Sequence, residues 1–401
     1  MTANAALAIL ITAVGLAATA AEVRIGVEAG DHPHQQVPLS VLVPAAGSGE
    51  VELLEAETAT RVPCQCRKEG RMVRVAWLLD SLRAGGRRDY IARFGAKKRQ
   101  HQRVALKRER EGRVSFYVDG DLFTTYRYER SLPYPCWYPV CDASGRRLTR
   151  GFPLERLPNE QTDHTWHRSL WLTFGDLNGV NFWQRPPGKG GPRIAHRGFQ
   201  SLEGGSVFGE MVARWDWLAE SGERLMQSTV VFRVWPIRGA RLVDIEVSVR
   251  ASDGPVRFGD TKEGLMALRV ATPLAEINTG RITDSRGRVG MRQVFGQRAE
   301  WCDYSGRLGE AVVGLALFDH PGNPRHPPRW FARHYGLLAA NPFGDRALTG
   351  NRTLDGSWEL ARGAAATLRY RLYLHEGGVR EAGVAQHYAS YAHPPKVMLV
   401  E

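Results

Sequence analysis

The chain has 401 residues, long enough for a large core and for about two units of the usual size, roughly 100–200 residues each. Its formal net charge is +12, from 54 basic and 42 acidic residues, and only seven of the basic ones are Lys. Arg scattered singly over the whole length differs from the clustered stripe of a nucleic-acid groove, so a nucleic-acid partner is excluded, whereas acidic glycans suit a basic surface.

Residues 1–21, MTANAALAILITAVGLAATAA, carry no charged side chain, hold an apolar run and end in small residues with an A-x-A pattern, Ala18-Thr19-Ala20. This predicts a secretory signal peptide cleaved near Ala20 or Ala21, with an uncleaved anchor as the alternative. No other stretch approaches the roughly 20 apolar residues of a membrane span. The mature protein is therefore expected in the periplasm or outside the cell, with no membrane partner.

From Glu22 to Gly112, the runs VRIGVEAG, VPLSVLVP, GEVELLEA and RMVRVAWLLDSL are strand-like, with turn signals such as Ala45-Ala46-Gly47-Ser48-Gly49 between them. They predict a small N-terminal β-domain over 22–112. The one dense basic block, 93–111, reads as a solvated connector or edge. The main domain is expected over 113–395. It begins with a hairpin at 113–129 that turns on Asp119-Gly120-Asp121, where Gly tolerates the positive φ the turn needs.

Further along, 207–235 reads as two strands around Glu220-Ser221-Gly222-Glu223, and 241–252 and 266–273 alternate with the period of a strand. The apolar run 311–320 ends on Asp319 and His320, as a buried strand does when it delivers polar residues to a cleft. SWELARGAAATLRYRLYLHEG (357–377) reads as a closing hairpin. Only HYASYAHPP near the end and RDYIARFG (88–95) suggest short helices. Many evenly spaced strands predict an all-β fold, a large antiparallel β-sandwich, rather than βαβ units.

The five cysteines form no scaffold and lack zinc-ribbon spacing. Cys64 and Cys66 would share one face of a strand. Cys136 and Cys141 bracket an aromatic turn and could pair outside the cytosol, which leaves Cys302 over.

Three stretches concentrate chemistry: 159–184, 259–264 and 319–344. His164 and His167 lie three apart, so on a helix they would share a face, and on a strand they would not. With His320 or His326 they could hold a transition metal, but no short metal motif is present. The leading expectation is metal-free acid–base work with Glu263, Lys262 or Asp319 as partner, because burial and neighbours move proton affinities. No cofactor is required, and a transition metal is the alternative. Arg168, Arg325 and Arg333 offer rigid forks for carboxylates or hydroxyls, against the bland reading of ion pairs. Trp171, Trp183 and Trp301 are either platforms for a sugar face or core fillers. Asp176, Asn178, His320, Asn323 and His326 complete the substrate-binding candidates. Serine-hydrolase, nucleotide-triphosphatase and dinucleotide fingerprints are absent.

These residues carry a resemblance. DHTWHRSLWLTFGDLNGVNFW, GDTKEG, WCDYSG, FDHPGNPRHPPRWFARHYGLLAANPFG and SWELARGAAATLRYRLYLHEG resemble the "methane oxygenase PmoA"-like family of uncharacterised secreted bacterial proteins, over nearly all of the mature chain. The true methane oxygenase subunit is a polytopic membrane protein, and one apolar segment at the start cannot supply that, so methane oxidation is not implied. The resemblance implies a carbohydrate ligand and a sandwich similar to the galactose mutarotase supersandwich. It also departs from the family pattern, with Thr165-Trp166 in place of Pro-His and with His334 where an acidic residue is expected. The expected function is thus a secreted carbohydrate-active enzyme doing His/carboxylate chemistry on a sugar or oxidised sugar, as epimerase, lyase or hydrolase. The alternatives are a non-catalytic glycan-binding or envelope-associated module and a metal-dependent oxidative enzyme.

Overall fold

A computed structural model describes residues 22–46, 50–95, 101–110, 112–185 and 190–400. The leader expected at 1–21, part of the 45–49 turn and part of the basic block lie outside the described residues.

Two eight-stranded antiparallel sheets carry the main core. The first runs, in spatial order, Arg329–Arg333, Leu337–Asn341, Met266–Arg269, Leu170–Leu172, Cys136–Val140, Asp121–Arg127, Arg113–Val118 and Val104–Glu109. The second runs Arg193–Glu203, Gly209–Leu218, Arg224–Ile237, Ala240–Arg250, Ala365–Glu376, Ala311–Asp319, Trp301–Leu308 and Arg281–Asp284. Alternation along each strand sends one apolar face inward, and the two faces share one cluster of buried side chains. Trp137 of the first sheet stacks on Phe232 of the second, with centroids 4.8 Å apart and planes at 14°. The fold is an all-β sandwich, as the strand pattern predicts.

Residues 22–94 build two smaller sheets with a core of their own, which includes Ile25, Leu39, Trp77 and Tyr90. The closing strand Lys396–Val400 pairs with Glu22–Glu28 at the edge of one of them. A third apolar cluster, with Ala76, Phe208, Trp235 and Phe318, joins this part to the outer face of the second large sheet.

Three local expectations need correction. RDYIARFG forms the strand Arg87–Phe94, because Tyr90, Ala92 and Phe94 alternate inward between Glu22–Glu28 and Val51–Glu55. The segment 357–377 is not a hairpin. Trp358–Leu360 pairs with Val256–Phe258, whereas Ala365–Glu376 lies between Ala240–Arg250 and Ala311–Asp319. Cys136 and Cys141 are separate buried thiols, and burial pushes them up to about 12 and about 11. The C-terminal helix is present, over Val384–Ala392.

Trp137 fills the centre of the sandwich, and its buried indole N–H has no partner. Trp137→Ala should cost about 3–5 kcal/mol in urea unfolding. Trp137→Phe should cost clearly less, since no hydrogen bond is lost with the indole nitrogen.

Candidate functional site

Sheet order brings the chemistry-rich stretches together. Arg329–Arg333, Leu337–Asn341, Met266–Arg269 and Leu170–Leu172 are successive neighbours, with Arg333 opposite Leu337, Leu337 opposite Arg269, and the Arg269 N–H donating to Ser169 O at 2.7 Å. Arg333, Arg269 and Ser169 therefore collect at one end of four adjacent strands. The loop 259–264 joins through close backbone approach. A Cβ on Gly259 would meet Asp176 Oδ2 at 1.9 Å, and one on Gly175 would meet Glu263 Cβ at 2.8 Å.

At that end stand two arginines with no exposed side chain, Arg150 and Arg269. Both donate to the same oxygen, Asp163 Oδ1, from Arg150 Nη1 at 2.6 Å and Arg269 Nη2 at 2.7 Å. Asp163 Oδ2 is 2.7 Å from His164 Nδ1. Arg150 also donates to the carbonyls of Asp163, His164 and His167, and Arg269 to Gln161 Oε1 at 2.6 Å. Burial alone would raise the Asp163 carboxyl, but His164, Arg269 and Arg150 outweigh it and hold it well below the usual carboxylate range. Burial and Arg269 push Arg150 down to about 10, so it stays charged at neutral pH.

The two histidines differ. His167 Nδ1 lies 3.1 Å from Arg269 Nη1, and a guanidinium only donates, so Nδ1 accepts and the proton sits on Nε2. Burial, then Arg269, His164, Arg150 and Arg168, push its pKa well below the usual range, so it is neutral. His164 donates from Nδ1 to the Asp163 carboxylate, so in the neutral form of the ring Nε2 carries the lone pair. The His164 side chain is 32% exposed and that of Asp163 41%. His164 takes φ 45°, an uncommon left-handed conformation for a non-Gly residue, and its ring packs against both His167 at 4.8 Å and Tyr335 at 4.7 Å.

Around this pair the contacts close into a loop of side chains. Trp183 meets His167 at 5.8 Å, His164 follows, then Tyr335, and Arg333 lies over Tyr335 at 5.6 Å and over Phe295 at 5.5 Å. Phe295 meets Phe331 at 5.9 Å, and Phe331 returns to Trp183 at 6.4 Å. Gln184, next in the chain, donates to Glu263 Oε1 at 3.3 Å, and the exposed Lys262 stands 3.8 Å from the same oxygen. Thus His164, His167, Trp183, Arg333, Lys262 and Glu263 belong to one connected region.

Other candidates go elsewhere. Trp171 is fully buried against His167, and Trp183 is almost as buried, so they hold that imidazole in place rather than offer an open face. Trp301 packs in the cluster between the second sheet and the N-terminal part. Asp176 and Asn178 close their own loop: Asp176 Oδ1 accepts from Gly179 N–H at 2.9 Å and Asn178 Oδ1 from Arg257 N–H at 2.6 Å. Asp319 pairs with His326 at 2.6 Å and Asn323 at 2.7 Å rather than with His320, whose Nδ1 accepts from Gly322 N–H. Arg325 joins Arg298 and Arg329 around Asp345 and donates to Ser357 O. Arg168 is buried against Tyr134. The expected neighbours His167 and Arg325 therefore stand in different polar clusters, each satisfied by its own partners.

Sequence reasoning missed Arg150, Arg269, Gln161 and Tyr335. Arg269 carried a usable signal, since it is a charge ending the apolar strand Met266–Arg269, where only a paired guanidinium is tolerated. Among the described residues, no three His, Cys, Asp or Glu side chains gather closely enough to hold a metal ion, and no helix is long and apolar enough to cross a membrane.

Comparisons with known proteins bear on the family. No curated protein matches the chain. Among solved structures it is similar to a glycosyl hydrolase family 38 protein from Enterococcus faecalis, at TM-score 0.47 and 8% identity over 95% of this chain and 47% of that one. It is also similar to an α-mannosidase from Enterococcus faecalis V583, at TM-score 0.49 and 10% identity over 95% of this chain and 46% of that one. A family 36 α-galactosidase from Geobacillus stearothermophilus follows at TM-score 0.35 and 10% identity, over 69% and 42%. The chain spans less than half the length of each of these. Residues 113–389, well over half of the chain, match the family of unknown function DUF6807, and the protein belongs to that family.

Proposed function

We propose that the protein is a carbohydrate-active enzyme in which His164, oriented by Asp163, removes a proton from a sugar or oxidised sugar. The observation that carries this is an imidazole, partly open to solvent, on a carboxylate that two fully buried guanidiniums lock in place. A general base needs a free lone pair and a fixed orientation, and His164 Nε2 has both. His167 supplies the complementary group, a neutral Nε2–H that can donate to an oxygen on which negative charge develops. Base and donor side by side suit abstraction of a proton next to a carbonyl. The proton passes to His164, and the electron pair moves onto the carbonyl oxygen. Return of a proton to the opposite face is epimerisation, and loss of a neighbouring substituent is a lyase reaction. Half-buried Tyr335 and Trp166 beside His164 provide the aromatic surface that an apolar sugar face takes. On this reading Glu263 and Asp319 are not the partners of the base. The motif likeness to the PmoA-like proteins, with the leader pattern at 1–21, supports a sugar ligand and a place outside the cytosol.

His164→Asn tests the base without breaking the fold, because Asn tolerates left-handed φ. In a screen of glycosides and 3-keto-glycosides, turnover should fall by about 10²–10⁴-fold, with an unchanged melting temperature. Unchanged turnover would sink the proposal, and saturable sugar binding with no product from the unaltered protein would favour a glycan-binding module.

His167 also predicts a pH response. It is neutral when folded, and its unfolded value is near 6.5, so below that pH the unfolded chain binds the extra proton and stability falls. Between about pH 7.5 and about pH 5, one such histidine removes about 2 kcal/mol. His196 and His387, each pushed down to about 4 by burial first, act in the same window. The Asp163 contribution, present above its unfolded value, is lost only at more acidic pH. Urea unfolding at the two pH values should show a slope smaller by about 2 kcal/mol in His167→Gln. An identical slope would mean that His167 is charged in the folded protein.

A further inference from the structure

A cavity of about 530 Å³ has four arginines in its wall, Arg130, Arg168, Arg185 and Arg193, and, among the described residues, a single carboxylate, Glu220. Arg168 forms part of it and is only 3% exposed. Its Nη1 donates to Tyr134 OH at 2.7 Å and to Trp166 O at 3.4 Å, and its guanidinium lies 4.8 Å from the Tyr134 ring centre. Its Nε is buried with no partner, and among the described residues nothing accepts from Nη2. With Nε sealed off, the donor that Arg168 can present to the cavity is the unused Nη2 N–H, a charge-assisted donor suited to an anion. Among the described residues no carboxylate pairs with Arg168, Arg130 or Arg193. A cation this deep with a donor unused is costly unless an anion comes to it.

We propose that this cavity binds the carboxylate of a sugar acid, with Arg168 Nη2 at its floor and Arg130 and Arg193 at its rim. A second cavity of about 320 Å³ shares Arg130, Leu132 and Arg193 with the first and includes Tyr128 and His196, whose rings are 4.2 Å apart. The two compartments in series accommodate neighbouring sugar units, the charged one at Arg168 and the next against Tyr128. Trp166 connects them to the acid–base pair, since its carbonyl accepts from Tyr134 and Arg168 while its ring stands 5.5 Å from His164. This names uronates as the substrate class for the acid–base reading and rests on that reading for any link to turnover. Binding in the cavity stands apart from it.

The test is calorimetric titration of the full chain with D-glucuronate, D-galacturonate and their 1,4-linked dimers, beside glucose, galactose and their neutral dimers, and with inorganic sulfate. Uronates should bind saturably and the neutral sugars at least about tenfold more weakly. Arg130→Gln with Arg193→Gln alters exposed cations that have no ion-pair partner, so the fold should persist while uronate affinity drops about tenfold or more. Arg168→Lys keeps the charge, loses the Nη2 donor and the planar group packed on Tyr134, and should weaken binding similarly. His164→Asn should leave uronate affinity unchanged whatever it does to turnover, which separates failure of this proposal from failure of the acid–base reading. Equal affinity for neutral sugars, sulfate binding as tight as uronate, or full uronate affinity in both arginine variants would each overturn the sugar-acid assignment.

Discussion

Asp163 Oδ1 is the point on which the site depends. Two guanidiniums taken wholly out of water, Arg150 and Arg269, share that one oxygen, while the second oxygen orients His164. Buried cations are tolerated only when a counter-charge and hydrogen bonds replace the lost water, and here the carboxylate and the carbonyls of the 161–167 segment supply both. The same contacts that stabilise the arginines therefore hold the backbone carrying both histidines. Folding energy and site geometry are one network.

The described residues hold two other Asp–His pairs, and comparison shows what sets the first apart. Asp303 and His375 meet at 2.9 Å with both side chains out of solvent, next to Gly314, where a Cβ would strike the His375 ring. That pair ties sheet strands together. Asp319 and His326 meet at 2.6 Å, with Asn323 clamping the remaining oxygen and burial pushing the Asp319 carboxyl up against both partners. Its imidazole is less open than that of His164 and lies by the Asp345 cluster. The Asp163–His164 pair combines a carboxylate held by two buried guanidiniums, an imidazole accessible from outside and a neighbouring neutral histidine with a proton to offer.

Much of the architecture was readable from residue pattern. Alternating runs such as 241–252 and the Asp119-Gly120-Asp121 turn gave strands and a hairpin, because side-chain period and turn chemistry are local properties. Errors came where pairing is non-local. RDYIARFG has helix-like spacing over a few residues yet is a central strand. Trp358–Leu360 and Ala365–Glu376 look like two arms of one turn but belong to different sheets.

For the site, the chain itself determined that histidines, arginines and aromatic rings would be dense at 159–184 and 319–344, since composition is written residue by residue. It also determined that Asp163 and His164 are adjacent. Which of the histidines keeps a free lone pair, which tryptophans are sealed off and which arginine stands at each carboxylate were decided only by tertiary structure. Proton position and charge depend on what lies within about 3 Å of an atom. For His167 that neighbour is Arg269, 102 positions away along the chain and 3.1 Å away in space.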